Sequence, residues 1–503
     1  MNLKPQTWAF LFALIVIGFA GATPAEDLRV SLLHVNDVYQ VGAVDKGTRG
    51  GLARVASLKA KLREESPHTL LILGGDTLSP SVASNTFKGA QMIAGWNAAG
   101  LDLAVLGNHE FDFGPEVLRE RLAESRFSWL AANVFERARG RRFAGLRGSE
   151  LREFGGIKVG FVGVITPDTA QTSKPGQGLR FTDPHIALRH EAARLRARGA
   201  VAVVALTHLD IGADRRLAAT GVADVILGGH DHSVMQSLAG RTPVFKAGSD
   251  ARFAIRVDLV FDAKRKHLKH LDWELLPIDA HLPEDPATAA VVAKYETELS
   301  ARLDHPVGET AVELDARQVN NRSRETNLGS WLAEIYRAST QAEVAMVNGG
   351  SIRSNATYGP GPLTKRDILS ILPFENPIVK LEVTGRVLRQ ALEHGLAEMH
   401  ASQESGRFAQ VAGLRFAYDA RRPVGERVQE LVINGTALIE DRRYTLAVNL
   451  YLATGGDGYK IFRGQRYLLA PENALSETAE VIEALAKSGK IAPQLDGRIQ
   501  RLD

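Results

Sequence analysis

Apolar and polar positions fall in blocks along the first half of the chain. From Leu28 to about Phe261, short runs rich in β-branched residues recur: LRVSLLHV, TLLILGGD, LAVLGNHE, IKVGFVGVI, VAVVALTH, VADVILGG and AIRVDLVF. Longer polar stretches with helical spacing separate them. Continuous apolar strands divided by helices predict an α/β layer whose sheet is covered on both faces. Further along, Asp285-Pro286 opens a helix-like segment, ATAAVVAKYETELSARL, that closes near His305-Pro306. Proline suits the first turn of a helix and the position just beyond its end. This segment reads as a connector over 285–306. From Val307 a second unit mixes predicted helices (Asn327 to Thr340, Gly385 to Met399) with predicted strands (Glu343 to Asn348, Tyr444 to Leu450). The expected organisation is one domain over 26–284, the connector, and a second domain over 307–503. A chain of 503 residues exceeds what one core usually organises, which agrees with two domains.

The first residues follow another pattern. Lys4 precedes the uncharged run WAFLFALIVIGFAGA from Trp8 to Ala22. At about 15 residues it falls short of the roughly 20 that a spanning helix needs. Ala20 and Ala22 form an A-x-A-like site, so residues 1–22 are expected to be a signal peptide cleaved after Ala22. The expected location is periplasmic or secreted, with no stable membrane anchor after cleavage.

Composition narrows the chemistry. The chain has no cysteine, which excludes disulfides, iron–sulfur clusters, thiolate zinc sites and cysteine nucleophiles. Any metal must be held by His, Asp, Glu, Asn or Gln, a set that suits manganese, iron, zinc, magnesium or calcium. With 61 basic and 58 acidic residues the net charge is +3, and nothing points to a nucleic-acid partner.

The informative polar residues sit at strand ends. LLHVND ends at Asp37 and LLILGGD at Asp76. LAVLGNHEFD ends in Asn108, His109 and Asp112. VAVVALTH ends at His208, and VADVILGGHDH at His230 and His232. The carboxyl ends of strands in an α/β sheet share one edge, where ligands bind. Any one of these residues alone reads as a cap or turn residue. Five strand ends that all carry oxygen or imidazole ligands are hard to explain by capping. His190, His270, His281, His305 and His394 lack such neighbours and read as surface residues.

The order D…GGD…GNHE…H…GHxH resembles the calcineurin-like metallophosphoesterase superfamily. LLHVND, GGDTLSP, GNHEFDFG and GGHDH are similar to the bacterial 5′-nucleotidase and UDP-sugar hydrolase family, and NGGSIR, ILPFEN, GRFAQVAGL and ATGGDGY resemble its C-terminal domain. The resemblance implies an α/β fold: an N-terminal β-sandwich flanked by helices, then an α+β substrate-binding domain. It implies two divalent metal ions (Mn, Zn, Co, Fe or Mg). Asp76 would bridge both, Asp37 and His232 would hold the first, and Asn108, His208 and His230 the second. His109 and Asp112 would form a catalytic dyad. In the second domain it implies a base sandwiched by Phe408 and Tyr451, a ribose contact from Asp457, and substrate binding by Arg353, assisted by Asn376.

One position departs from the family. Asp-x-His is usual at the first motif, whereas Asp37-Val38-Tyr39 puts a phenol in the imidazole position. A phenol of pKa about 10 is a poor ligand unless the metal ionises it. Three outcomes stay open: ligation as phenolate, a weaker and more hydrated first site, or lost activity. The expected reaction is hydrolysis of nucleoside 5′-monophosphates, extending to nucleoside diphosphates or nucleotide sugars. Recognition and chemistry lie on different domains, so a hinge rotation is expected to bring them together. The alternatives are a 2′,3′-cyclic nucleotide phosphodiesterase or another metallohydrolase of this fold, and a nucleotide-binding protein with an impaired first metal site.

Overall fold

The computed structural model describes residues 27–143, 146–239, 242–374, 376–398 and 405–503. The expected signal peptide lies outside these residues, as does Met399. The apolar runs of the first half form two six-stranded sheets. The first has the order His267–Pro277, Phe253–Asp262, Leu28–Val35, Thr69–Leu73, Leu103–Val105, Ser128–Leu130; its last four strands run parallel. The second has the order Val234–Ala239, Thr242–Ala247, Val225–Gly228, Ala202–His208, Ile157–Ile165, Ser149–Phe154, with four parallel strands in its middle.

The two sheets pack face to face. Val30, Leu32, Ile72 and Val105 of one meet Phe161, Val204, Leu206 and Leu227 of the other in a shared core. Each side chain buried this way contributes about 1.5–3 kcal/mol. The outer face of the first sheet carries Leu52–Glu65 and Ala90–Ala99, through Val55, Leu58, Met92 and Trp96. The outer face of the second carries Pro184–Ala197 and Ile211–Ala218, through Leu188, Leu195 and Leu217. The apolar pattern predicted strands covered on both faces. One cover is helical, but the other is a second sheet, so the layer is a sandwich. A strand apolar on both sides does not distinguish a sheet from a helix as its neighbour.

The helix Pro286–Leu303 is capped by Asp285, whose carboxylate accepts from Thr288 N at 2.8 Å. It packs on the helices Leu52–Glu65 and Ala90–Ala99 of the first half. Beyond it lies a five-stranded mixed sheet, ordered Ala409–Ala412, Val344–Asn348, Arg443–Asn449, Ile378–Thr384, Arg466–Leu469. The helix Asn327–Thr340 packs on one face of it and Gly385–Leu396 on the other. No helix of the described residues is long and apolar enough to cross a membrane.

Candidate active site

The strand ends converge, on a rim contributed by both sheets. Asp37, Asp76 and Asn108 follow strands of the first sheet; His208 ends a strand of the second, and His230 and His232 follow the next. Ligand-type atoms of Asp37, Asp76 and His208 all lie within 4.8 Å of one another, and all three residues are buried. His208 Nε2 is 3.1 Å from Asp76 Oδ2, and the rings of His208 and His230 meet edge-on at 5.2 Å. His232 Nε2 is 3.4 Å from Asp37 Oδ1.

The backbone at this rim is unusual. Asp37, Asp76 and His230 are in left-handed conformations, with φ of 53°, 58° and 77°. Such residues cost about 1 kcal/mol or more and persist where their surroundings over-determine them. Here the surroundings are hydrogen bonds. Asn36 donates to Asp37 Oδ2 at 2.8 Å and to Gly248 O at 2.7 Å, while its own oxygen accepts from Ala247 N at 2.6 Å. Asp37 Oδ2 also accepts from His230 N at 2.9 Å, and Asp76 Oδ1 from His109 N at 2.8 Å. Glycines admit the close approaches. A Cβ at Gly75 would come 2.6 Å from His208 Nδ1, and one at Gly229 within 2.8 Å of the same atom.

Two buried groups beneath the rim were assigned no role from the sequence. Glu110, inside GNHE, accepts backbone N–H groups from Asp76 at 3.0 Å, Thr77 at 2.7 Å and Gly107 at 2.5 Å. Burial and the Asp76 charge push its carboxyl up to about 7, against the hydrogen bonds. Lys246, fully buried, bonds the carbonyls of Leu209 and Gly229 at 2.6 and 2.7 Å, Asp231 at 2.6 Å and Asp214 at 2.9 Å. It fixes the segments that follow His208 and precede His230. Lys246 was missed because its partners are distant in the chain; Glu110 stood inside GNHE, but that motif does not say that its last residue turns inward to hold the Asp76 and Thr77 backbone.

The electrostatics favour positive charge at the centre. Burial opposes ionisation of His208, yet Asp76 and Asp37 outweigh it and push its pKa up to about 10. Burial would raise Asp76, but His208 and His109 hold it below the usual carboxylate range. His230, by contrast, is driven down to about 4 by burial and by His208. Asn108 Oδ1 is buried with no hydrogen-bond partner, an acceptor left open. Two ionised carboxylates, an open amide oxygen and imidazoles make a donor set suited to hard and borderline divalent cations.

Tyr39 is drawn into this set. Its hydroxyl lies 3.1 Å from Asp37 Oδ1, 3.5 Å from Asp76 Oδ2 and 2.9 Å from His232 Nε2. Burial, then the two carboxylates, lift its pKa well above the ordinary value, so without a metal ion the phenol is neutral. His109 Nδ1 faces Asp112 Oδ2 at 2.7 Å, which leaves Nε2 toward the centre, 4.0 Å from Asp76 Oδ2. Burial lowers the His109 pKa, but Asp112 and Asp76 outweigh it and raise it.

The second half already faces this centre. Phe374 stacks on His109, with centroids 6.0 Å apart and planes at 20°. The Arg353 guanidinium lies 5.7 Å from the Tyr39 ring centroid and 5.8 Å from that of Phe374. Asn85 donates across the junction to Pro373 O. The hinge rotation expected for assembly is therefore not needed in this conformation. A cavity of about 780 Å³ opens at the junction beside Tyr39, His232 and Arg353.

The remaining residues of the second half are placed unevenly. Asp457 accepts from Tyr451 OH at 2.9 Å and from Asn348 Nδ2 at 2.7 Å, on a turn with φ of 49°. That turn borders a second cavity of about 540 Å³. Tyr451 is half-buried, its hydroxyl on Asp457. Phe408 is 1% exposed and seated in the C-terminal core, so its ring offers no open face to a base in this conformation. Asn376 turns inward: its side-chain amide donates to the buried Glu477 at 3.3 Å and braces the turn that carries Phe374. His394 is not a surface residue. Its Nε2 is 2.8 Å from Asp457 O and its ring packs on Tyr459, so it supports the Asp457 turn. His190, His270, His281 and His305 are exposed, as expected.

Comparison with known proteins finds matches to both halves of the chain. Residues 30–234 match the calcineurin-like phosphoesterase family model, and residues 306–464 match that of the 5′-nucleotidase C-terminal domain. The chain is 29% identical over 523 residues to the trifunctional nucleotide phosphoesterase protein YfkN of Bacillus subtilis, covering 94% of this chain but only 35% of that longer protein. It is 28% identical over 533 residues to the snake venom 5′-nucleotidase of Gloydius brevicauda, covering 94% and 89% of the two. Among solved structures it resembles a 5′-nucleotidase precursor from Thermus thermophilus. The TM-score is 0.85 at 27% identity, over 95% of this chain and all of that one.

Proposed function

The chain belongs to the calcineurin-like phosphoesterases that carry a 5′-nucleotidase C-terminal domain, and we propose that it hydrolyses nucleoside 5′-monophosphates with divalent metal ions. One observation carries this reading: Asp37, Asp76 and His208 gather their ligand atoms within 4.8 Å, beside the open Asn108 oxygen. We assign Asp37, Asp76 and His232 to a first ion, and Asp76, Asn108, His208 and His230 to a second. Divalent cations held there would lower the pKa of a water and neutralise the phosphoryl oxygens.

The chain's own residues do the rest. His109 Nε2 faces the centre and, held by Asp112, donates to the phosphoryl group as charge develops on it. Arg353, wedged between Tyr39 and Phe374, binds a phosphate oxygen from the opposite side. The nucleoside lies against Tyr451 with its ribose on Asp457, while Phe408 backs this wall from within the core. Domain rotation then serves to admit substrate and release product. Nucleoside diphosphates and nucleotide sugars are further candidate substrates. The apolar N-terminal stretch supports export to a periplasmic or extracellular space.

The test is phosphate release from AMP by protein stripped with chelator, then resupplied with manganese or cobalt. Activity that returns with metal supports the reading; none with either metal overturns it. A panel that adds 2′,3′-cyclic AMP, UDP-glucose and an aryl phosphate separates it from a cyclic phosphodiesterase. Tyr39 favours one refinement. It engages three groups assigned to the first ion, so that ion is the more weakly held.

A further inference from the structure

Asp112 is held from two sides. Its Oδ2 accepts from His109 Nδ1 at 2.7 Å and its Oδ1 from the Ser173 hydroxyl at 2.6 Å. Ser173 follows the short helix Thr169–Thr172. That helix is anchored from below. Thr169 is fully buried and its hydroxyl donates to Thr166 O at 2.7 Å, while Thr166 N donates to His208 O at 2.9 Å. The segment therefore hangs from the end of the strand Ala202–His208. Its outer residues Asp168, Gln171 and Thr172 share the walls of the 540 Å³ cavity with Gly406, Arg407 and Asp457 of the other half. One short segment thus touches the dyad on one side and, on the other, the cavity beside Asp457, which we take as the nucleoside chamber because the ribose is assigned to Asp457.

We propose that Ser173 is a positioning residue for the His109–Asp112 pair, and that Thr169–Ser173 reports occupancy of the nucleoside chamber to it. The proposal rests on the functional reading above. A carboxylate anchored at one oxygen can swing about its Cβ–Cγ bond. Anchored at both, it fixes the plane of the imidazole and the direction of Nε2, and a small misplacement of such a group is costly in rate. A nucleoside against Gln171 and Thr172 limits the travel of the helix and so of the Ser173 hydroxyl.

The experiment compares metal-replete wild type, Ser173→Ala and Ser173→Thr with AMP as substrate. The expected result is a kcat about tenfold lower in Ser173→Ala, with KM changed less than about twofold, and recovery of most of the loss in Ser173→Thr, which keeps the hydroxyl. A second measurement follows the His109 Nδ1 proton by NMR in magnesium-loaded protein. Adenosine shifts this resonance in wild type and not in Ser173→Ala. An unchanged kcat in Ser173→Ala, a loss confined to KM, or a wild-type resonance that ignores bound adenosine overturns the proposal. Absence of AMP hydrolysis by wild type itself overturns the functional reading, and is told apart by that.

Discussion

The Tyr39 hydroxyl lies 2.9 Å from His232 Nε2, and from the same position it reaches Asp37 Oδ1 at 3.1 Å. A neutral phenol thus engages two groups that a cation would need. Replacing it with imidazole supplies a donor atom and removes a competitor. Tyr39→His is expected to tighten the weaker metal equivalent about tenfold or more, which is about 1.4 kcal/mol. Calorimetric titration of metal-free protein with manganese measures this. Equal affinities in the two proteins would refute the unequal-site reading.

Gly107 faces Asp76, and a Cβ there would overlap the Asp76 carboxylate. Gly107→Ala is therefore expected to displace the Asp76 carboxylate, assigned above to both ions, and reduce bound metal per chain, with far-ultraviolet circular dichroism unchanged. Elemental analysis after dialysis is the measurement. Full metal content in the variant would mean that Asp76 is not a ligand.

Lys246 is fully buried between Asp214 and Asp231. Lys246→Met leaves buried carboxylates without their cation and frees the carbonyls of Leu209 and Gly229. Breaking one partner of such a pair costs about 3–5 kcal/mol. Urea unfolding should show a loss of that order. A loss below about 1 kcal/mol would mean that the lysine does not hold these segments.

Glu477, buried beside Tyr336, has its carboxyl raised by burial from 4.5 to about 7. The folded state therefore binds this proton more tightly than the unfolded one. Its contribution is fully present below about pH 4.5 and is lost as pH rises through about 7. A shift of this size corresponds to about 3 kcal/mol. Glu477→Gln should flatten that part of the stability-versus-pH curve, measured by unfolding between about pH 5 and pH 8 in about half-unit steps. An unchanged slope would place the titration elsewhere.

What the sequence made legible was local. Strand runs ending in Asp37, Asp76, Asn108, His208 and His230 marked the rim, and caps and periodicity placed the helix Asn327–Thr340. What it hid was pairing across distance. A strand apolar on both faces does not announce whether its neighbour is a helix or a second sheet. Ser173 and Lys246 each look like ordinary polar residues until the fold sets them against Asp112 and Gly229. His394 reads as a surface histidine because its partner, the Asp457 carbonyl, is 63 positions away. From its residue type alone Phe408 reads as a core aromatic, and the fold seats it in the core; only the resemblance made it a base-stacking ring.

Asp37, Asp76 and Asn108 hang from one sheet, while His208 and His230 hang from the other. A cation coordinated by both sets would act as a rivet across the mouth of the sandwich. Its binding energy would then count toward keeping the two leaves shut, by the logarithm of free metal over its dissociation constant. Starvation for that ion would loosen the architecture as it silences the chemistry, so heat resistance and turnover would fade along the same curve.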